Sequence, residues 1–84
     1  MDRIAVIGIV VEGDRSISIE IQQIVNQFAD IILGRMGIPH HTENISTISL
    51  IVKGPNERIS SLTGKLGRLP NVNVKTAVTS YEVK

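Results

Sequence analysis

Apolar and polar positions change rhythm along this chain, and each rhythm predicts an element. Arg3 to Val11 (RIAVIGIVV) is apolar at nearly every position, as expected of a strand covered on both faces. Glu12-Gly13-Asp14-Arg15 follows as a polar turn, with Asp14 or Ser16 able to cap a helix. Ile17, Ile21, Ile24, Val25 and Phe28 then recur at helical spacing opposite Glu20, Gln23 and Gln27. From Asp30 the period shortens. Ile32, Leu33, Arg35, Met36 and Ile38, broken by Gly34 and Gly37, predict an edge strand closed by Pro39, with His40 to Asn44 as a polar connection. Ile45 to Lys53 (ISTISLIVK) alternates, so Ile48, Leu50 and Val52 share one face. Pro55 suits the first turn of a second helix, where its missing N–H is not needed, and Ile59, Leu62, Leu66 and Leu69 form that helix's stripe. After Pro70-Asn71, Val72, Val74, Thr76 and Val78 alternate as a fourth strand.

The resulting order, βαββαβ, is the split βαβ arrangement: an α+β, ferredoxin-like two-layer sandwich with a four-stranded antiparallel sheet and both helices on one face. It accounts for residues 1–84 as a single domain. One sheet face is left bare, yet the central strands are apolar on both sides. If Val6 and Val10 look toward the helices, Ile7, Ile9 and Val11 look away, joined by Ile45 and Ile51 of the third strand. Exposing five such side chains would forfeit several kcal/mol at about 25 cal/mol per Å2. The expectation is therefore a homo-oligomer built through the sheet, a dimer or tetramer.

Composition sharpens this picture. Ile and Val supply 23 of the 84 residues, and the only aromatics are Phe28 and Tyr81, which favours sheet over helix. A net charge of +1 offers no field for nucleic acid, and a sheet without aromatics gives no platform for stacking bases. The chain has no cysteine, which removes disulfides and thiolate chemistry. It also shows no secretory pattern and no run of 18 apolar residues, so the expected setting is cytoplasmic, away from any membrane.

The string Gly64-Lys65-Leu66-Gly67-Arg68-Leu69, followed by Val72, Val74, Lys75 and Thr76, resembles the GKLGxLxxVxVKT signature of a small family described as iron-only hydrogenase system regulators. Ile32-Leu33, Arg35, Gly37 and Pro39, with Glu43-Asn44 after them, are similar to the same family's second strand and connection. The resemblance implies an ACT-like regulatory domain, akin to the ligand domain of the nickel-responsive repressor, that senses a small molecule or mediates protein contacts.

Several residues are candidates for that role. ACT-like modules commonly receive small effectors at the turn after the first strand. Glu12, Gly13 and Asp14 occupy it here, where a glycine lets a ligand reach helix N-terminal N–H groups. Arg35 and Gly37 join them from the second strand. Gly64 weakens its helix by up to about 1 kcal/mol relative to Ala. Close packing of the backbone on the sheet or on a neighbouring subunit would offset that; the alternative is the approach of a ligand, with Lys65 or Lys75 holding an anionic group.

His40, His41 and Glu43 have metal-ligand character, and His41 and Glu43 can share a strand face, which keeps a nickel- or zinc-responsive module as the alternative function. No cofactor is specified. No nucleophile–base pair can be assigned, so an enzyme is not expected.

Overall fold

The computed structural model describes residues 1–13 and 15–83, with every side chain of these except those of Arg15 and His40. In chain order, β1 (Asp2–Glu12) leads to α1 (Arg15–Gln27), a short 3-10 turn at Ala29–Ile31, β2 (Ile32–Thr42), β3 (Ile45–Gly54), α2 (Asn56–Gly67) and β4 (Val72–Val83). The sheet order is β2-β3-β1-β4, with every neighbouring pair antiparallel. This is the expected α+β, ferredoxin-like sandwich.

The core lies between the sheet and the helices. Ala5, Ile7, Ile9 and Val11 of β1 and Leu50 and Val52 of β3 meet Ile21, Val25 and Phe28 from the first helix region, and Ile59, Leu62 and Leu66 from α2. The helical stripes therefore bury as their spacing predicts. The phase of β1 is the reverse of the one expected. Ile7, Ile9 and Val11 point at the helices, while Val6 and Val10 stand on the bare face, 42% and 41% exposed. The odd-numbered set wins because it holds the larger apolar volume, and a one-residue shift would exchange the faces wholesale. The inference of an apolar bare face survives with Ile51 as expected but with different members elsewhere: Val6 and Val10 of β1 and Met36 and Ile38 of β2 are exposed there.

Two further expectations change. β2 does not stop at Pro39 but runs through His40 and His41 to Thr42. It can do so because Glu43 and Asn44 both adopt positive φ, 25° and 65°, the requirement of a two-residue type I′ hairpin whose twist matches the strands. Nor is Gly64 packed against the sheet. A Cβ built at Gly64 or Gly67 meets nothing within 4 Å, so the close packing expected to offset their cost is absent within this chain. Gly54 is the glycine that packing demands, since its Cβ would lie 2.9 Å from Cγ2 of Ile31.

Candidate functional site

Register explains where a cavity opens. Ile38 of β2 pairs with Thr47 of β3, and the next pairing is Thr42 with Ile45. The three residues Pro39 to His41 thus face Ser46 alone, and the ladder is broken there. Pro39 brings no N–H to repair it. On the helix side, Gly37 sits opposite Ile48 without a side chain to fill the space beneath α1. The result is a cavity of about 230 Å3, floored by Gly37, Ser46 and Ile48, rimmed by Ile38, Pro39 and Thr47, and roofed by Ser18 and Gln22 of α1.

Arg35 enters this cavity from the helix-side face of β2, where it pairs with Leu50. Among the described residues it is the only charged one of the lining. Its Nη2 donates to Oε1 of Gln22 at 2.6 Å, which ties the strand to the helix and sets the guanidinium across the opening. A guanidinium carries five N–H donors in a planar fork, so this bond leaves capacity for a carboxylate or phosphate. With no acidic side chain among the described lining residues, the guanidinium there favours an anion.

The expected site residues therefore separate into three places. Arg35 and Gly37 meet in the cavity. Glu12 and Gly13 belong to the β1–α1 turn, where their N–H groups donate to the carbonyls of Asn71 and Asn44 at 2.9 and 3.0 Å. Those two N–H groups hold three turns together rather than facing a ligand, and Gly13 serves the turn through its φ of 143°. Asp14 lies outside the described residues. Gly64 and Lys65 stand on α2, where Lys65 Nζ donates to Gln27 Oε1 at 3.1 Å and lies 5.5 Å from the Phe28 ring centroid. Lys75 is exposed on the bare face of the sheet.

Among the described residues, the metal expectation finds no assembled ligand set. His41 places Nε2 2.8 Å from Thr47 Oγ1 and Nδ1 3.1 Å from Thr42 Oγ1, so both ring nitrogens are engaged by hydroxyls. Among the described residues, no three His, Cys, Asp or Glu side chains gather as a metal would need. The His40 side chain lies outside the described residues.

Ser18, Gln22, Ser46 and Thr47 were not anticipated as lining. Ser18 and Gln22 are four apart on a helix and so share a face, a signal the sequence does carry. What it lacks is the break in register that turns that face toward a void.

Comparison with known proteins places residues 3–76 in a family model described as "TM1266-like: Iron-only hydrogenase system regulator, putative". The structure is similar to that of the uncharacterized protein TM1266 from Thermotoga maritima, with a TM-score of 0.88 and 35% identity over 93% of this chain and 98% of that one. It also resembles the ACT domain from the GTP pyrophosphokinase of Chlorobium tepidum, with a TM-score of 0.77 and 23% identity over 92% of this chain and 100% of that one. A nitrogen regulatory PII-like protein from Thiomonas intermedia K12, bound to ADP, AMP and bicarbonate, matches more distantly, with a TM-score of 0.53 and 12% identity over 96% and 97% of the two chains. These last two likenesses show the fold alone. Among curated proteins, none matches this chain.

Proposed function

This chain belongs to the TM1266-like family of iron-only hydrogenase system regulators, and from that premise we propose that it is a non-catalytic sensor that binds a small anionic molecule at Arg35 and assembles through its bare sheet face. The observation that carries the reading is a cavity of about 230 Å3 whose only charged lining residue, among those described, is that arginine. The volume lies below the roughly 300–1,000 Å3 of sites for drug-sized ligands and suits a molecule of amino-acid size.

Such a ligand would accept from Arg35 while touching Ser18 and Gln22 on α1 and Ser46 on β3. It would thereby bridge the helix layer and the β2–β3 hairpin. Two rim residues, Ile38 and Thr47, lie on the bare face of the sheet, so a ligand in the cavity sits close to the surface a second copy would cover. Binding that favours one arrangement of the hairpin over another shifts assembly by that difference in affinity and no more.

The test is a thermal-denaturation screen against amino acids, small carboxylates and purine nucleotides, followed by calorimetric titration of the best stabiliser. One class should raise the midpoint, and Arg35→Ala and Gly37→Leu, which remove the charge and fill the void, should each abolish the effect. A flat response across the panel refutes the sensor. Sedimentation that finds only monomer at micromolar concentration, with or without ligand, refutes assembly.

A further inference from the structure

The sheet has two edges, and they are built differently. Along β2 stand Pro39, Gly34 and Gly37, and the register breaks both between Ile32 and Gly34 and between Ile38 and Thr42. Proline, bulges and missing side chains are the devices that keep an edge from pairing with another strand. β4 carries no proline, glycine or bulge from Val72 to Val78, where it pairs with β1 in unbroken register, and its one edge charge, Lys75, restricts which register a partner can take. Among the described residues, no backbone hydrogen bond reaches its outer side. Those residues present a flat, unpaired row about 20–25 Å long, at the usual rise per strand residue.

The row is bounded at its far end. Arg3 donates to the carbonyl of Ser80 at 3.1 Å and to Glu82 Oε1 at 3.0 Å, and Thr79 Oγ1 donates to the Ile4 carbonyl at 2.7 Å. Here β4 gains two residues on β1 between the Ala5–Val78 and Arg3–Glu82 pairs. Pairing with a new strand is thus confined to the stretch before Thr79.

We infer that this edge is completed by β4 of a second copy, antiparallel, about a two-fold axis that passes through Thr76. Closure is the first argument. Pairing β4 with β2 of another molecule would be head-to-tail, which propagates unless its rotation closes a ring, and the blunted β2 edge opposes it; β4 against β4 is self-complementary and closes at two. Register is the second. A two-fold axis normal to the sheet keeps each face on its own side, so the axis must pass through a residue. At Lys75 it would set two ammonium groups directly opposite each other, which is destabilising. At Val74 it would leave Val78 facing Pro70 of the α2–β4 turn. At Thr76 it sets threonine beside threonine, Lys75 beside Ala77, and the half-exposed Val78 beside Val74. The edge contact is separate from the bare-face contact proposed above, and together the two would make a tetramer.

The chain has no cysteine, so a single introduced thiol reports the register. The experiment uses Val10→Glu as background, to remove association through the bare face, with circular dichroism melts to show that each variant folds. In that background the protein should sediment as a dimer. Thr76→Cys should cross-link under mild oxidant at least tenfold faster than Lys75→Cys, whose thiols are offset along the edge. Thr76→Lys and Thr76→Glu should each be monomeric alone and dimeric when mixed. A monomeric Val10→Glu protein, equal cross-linking at positions 75 and 76, or no recovery on mixing overturns the inference. A Thr76→Cys protein that keeps Val10 and cross-links, while wild-type protein never exceeds a dimer, would support the edge contact and refute the bare-face contact.

Discussion

The two faces of the sheet use nearly the same residues to opposite ends. Toward the helices, Ile7, Ile9, Leu50 and Val52 have no exposed surface. One residue away on the same strands, Val6, Val10 and Ile51 are 41–45% exposed. Strand propensity cannot distinguish these sets, because Val and Ile suit a pleated surface on either side. What differs is the second layer: α1 and α2 bring Ile21, Val25, Ile59, Leu62 and Leu66 down on one face only. β-Branched sequence thus specifies a sheet, while burial is conferred by what the connections carry across it.

That contrast can be broken most sharply at adjacent positions of β3. Leu50→Ala empties a fully buried site and should destabilise the domain by about 2–5 kcal/mol in urea unfolding. Ile51→Ala, on the bare face, should change the isolated chain by less than about 1 kcal/mol, and its larger consequence should be weaker self-association. Equal losses at the two positions, independent of protein concentration, would show that the faces are equivalent.

The cavity sharpens the comparison, since it lies where the two faces meet at the broken end of β2. A ligand at 100 times its dissociation constant should stabilise the wild-type chain by about 2.7 kcal/mol, and Arg35→Ala should abolish that shift while leaving the unliganded midpoint nearly unchanged.

On the helix side again, Gly54→Ala forces a Cβ against Ile31 and should cost about 1–3 kcal/mol by overpacking. The same substitution at Gly64, where space is open, should stabilise α2 by up to about 1 kcal/mol unless a partner needs that space. Comparing the two melts decides which glycine packing requires.

The smallest effect belongs to the Arg58–Asp30 pair, 2.5 Å apart at the exposed end of the helix layer, with Arg58 also 5.0 Å from the Phe28 ring centroid. Asp30→Asn should cost no more than about 1 kcal/mol, less at high salt, because solvent screens both partners.

Much of the fold was legible because its signals are local. Helical stripes at Ile21, Val25 and Phe28, and at Ile59, Leu62 and Leu66, need only a period of 3.6. Pro55, and Pro70 with Asn71, mark the ends of α2. Misreadings arose where local signals compete. Pro39 and the paired histidines suggest an interruption, whereas the positive φ of Glu43 and Asn44 lets the strand continue into a tight hairpin. The apolar run of β1 has no polar position to declare which side is inside, so its phase could be read either way. At the candidate site, Arg35 and Gly37 were identified through resemblance, but Gln22 and Ser46 come into place only when α1 crosses the broken ladder.

Periodicity in the amino-acid order was enough to determine four strands, two helices and their sequence along the chain, because those properties depend on neighbours a few bonds away. Tertiary structure alone decided which β-branched residues are dry, that Gly54 rather than Gly64 is the crowded glycine, and that Arg35 lies across a void beneath Gln22. These are relations between residues far apart in the chain, 13 positions for Arg35 and Gln22 and more for Gly54 with Ile31 and for β1 with α2. Only the balance of packing across the whole sheet selects among the registers that satisfy each strand separately.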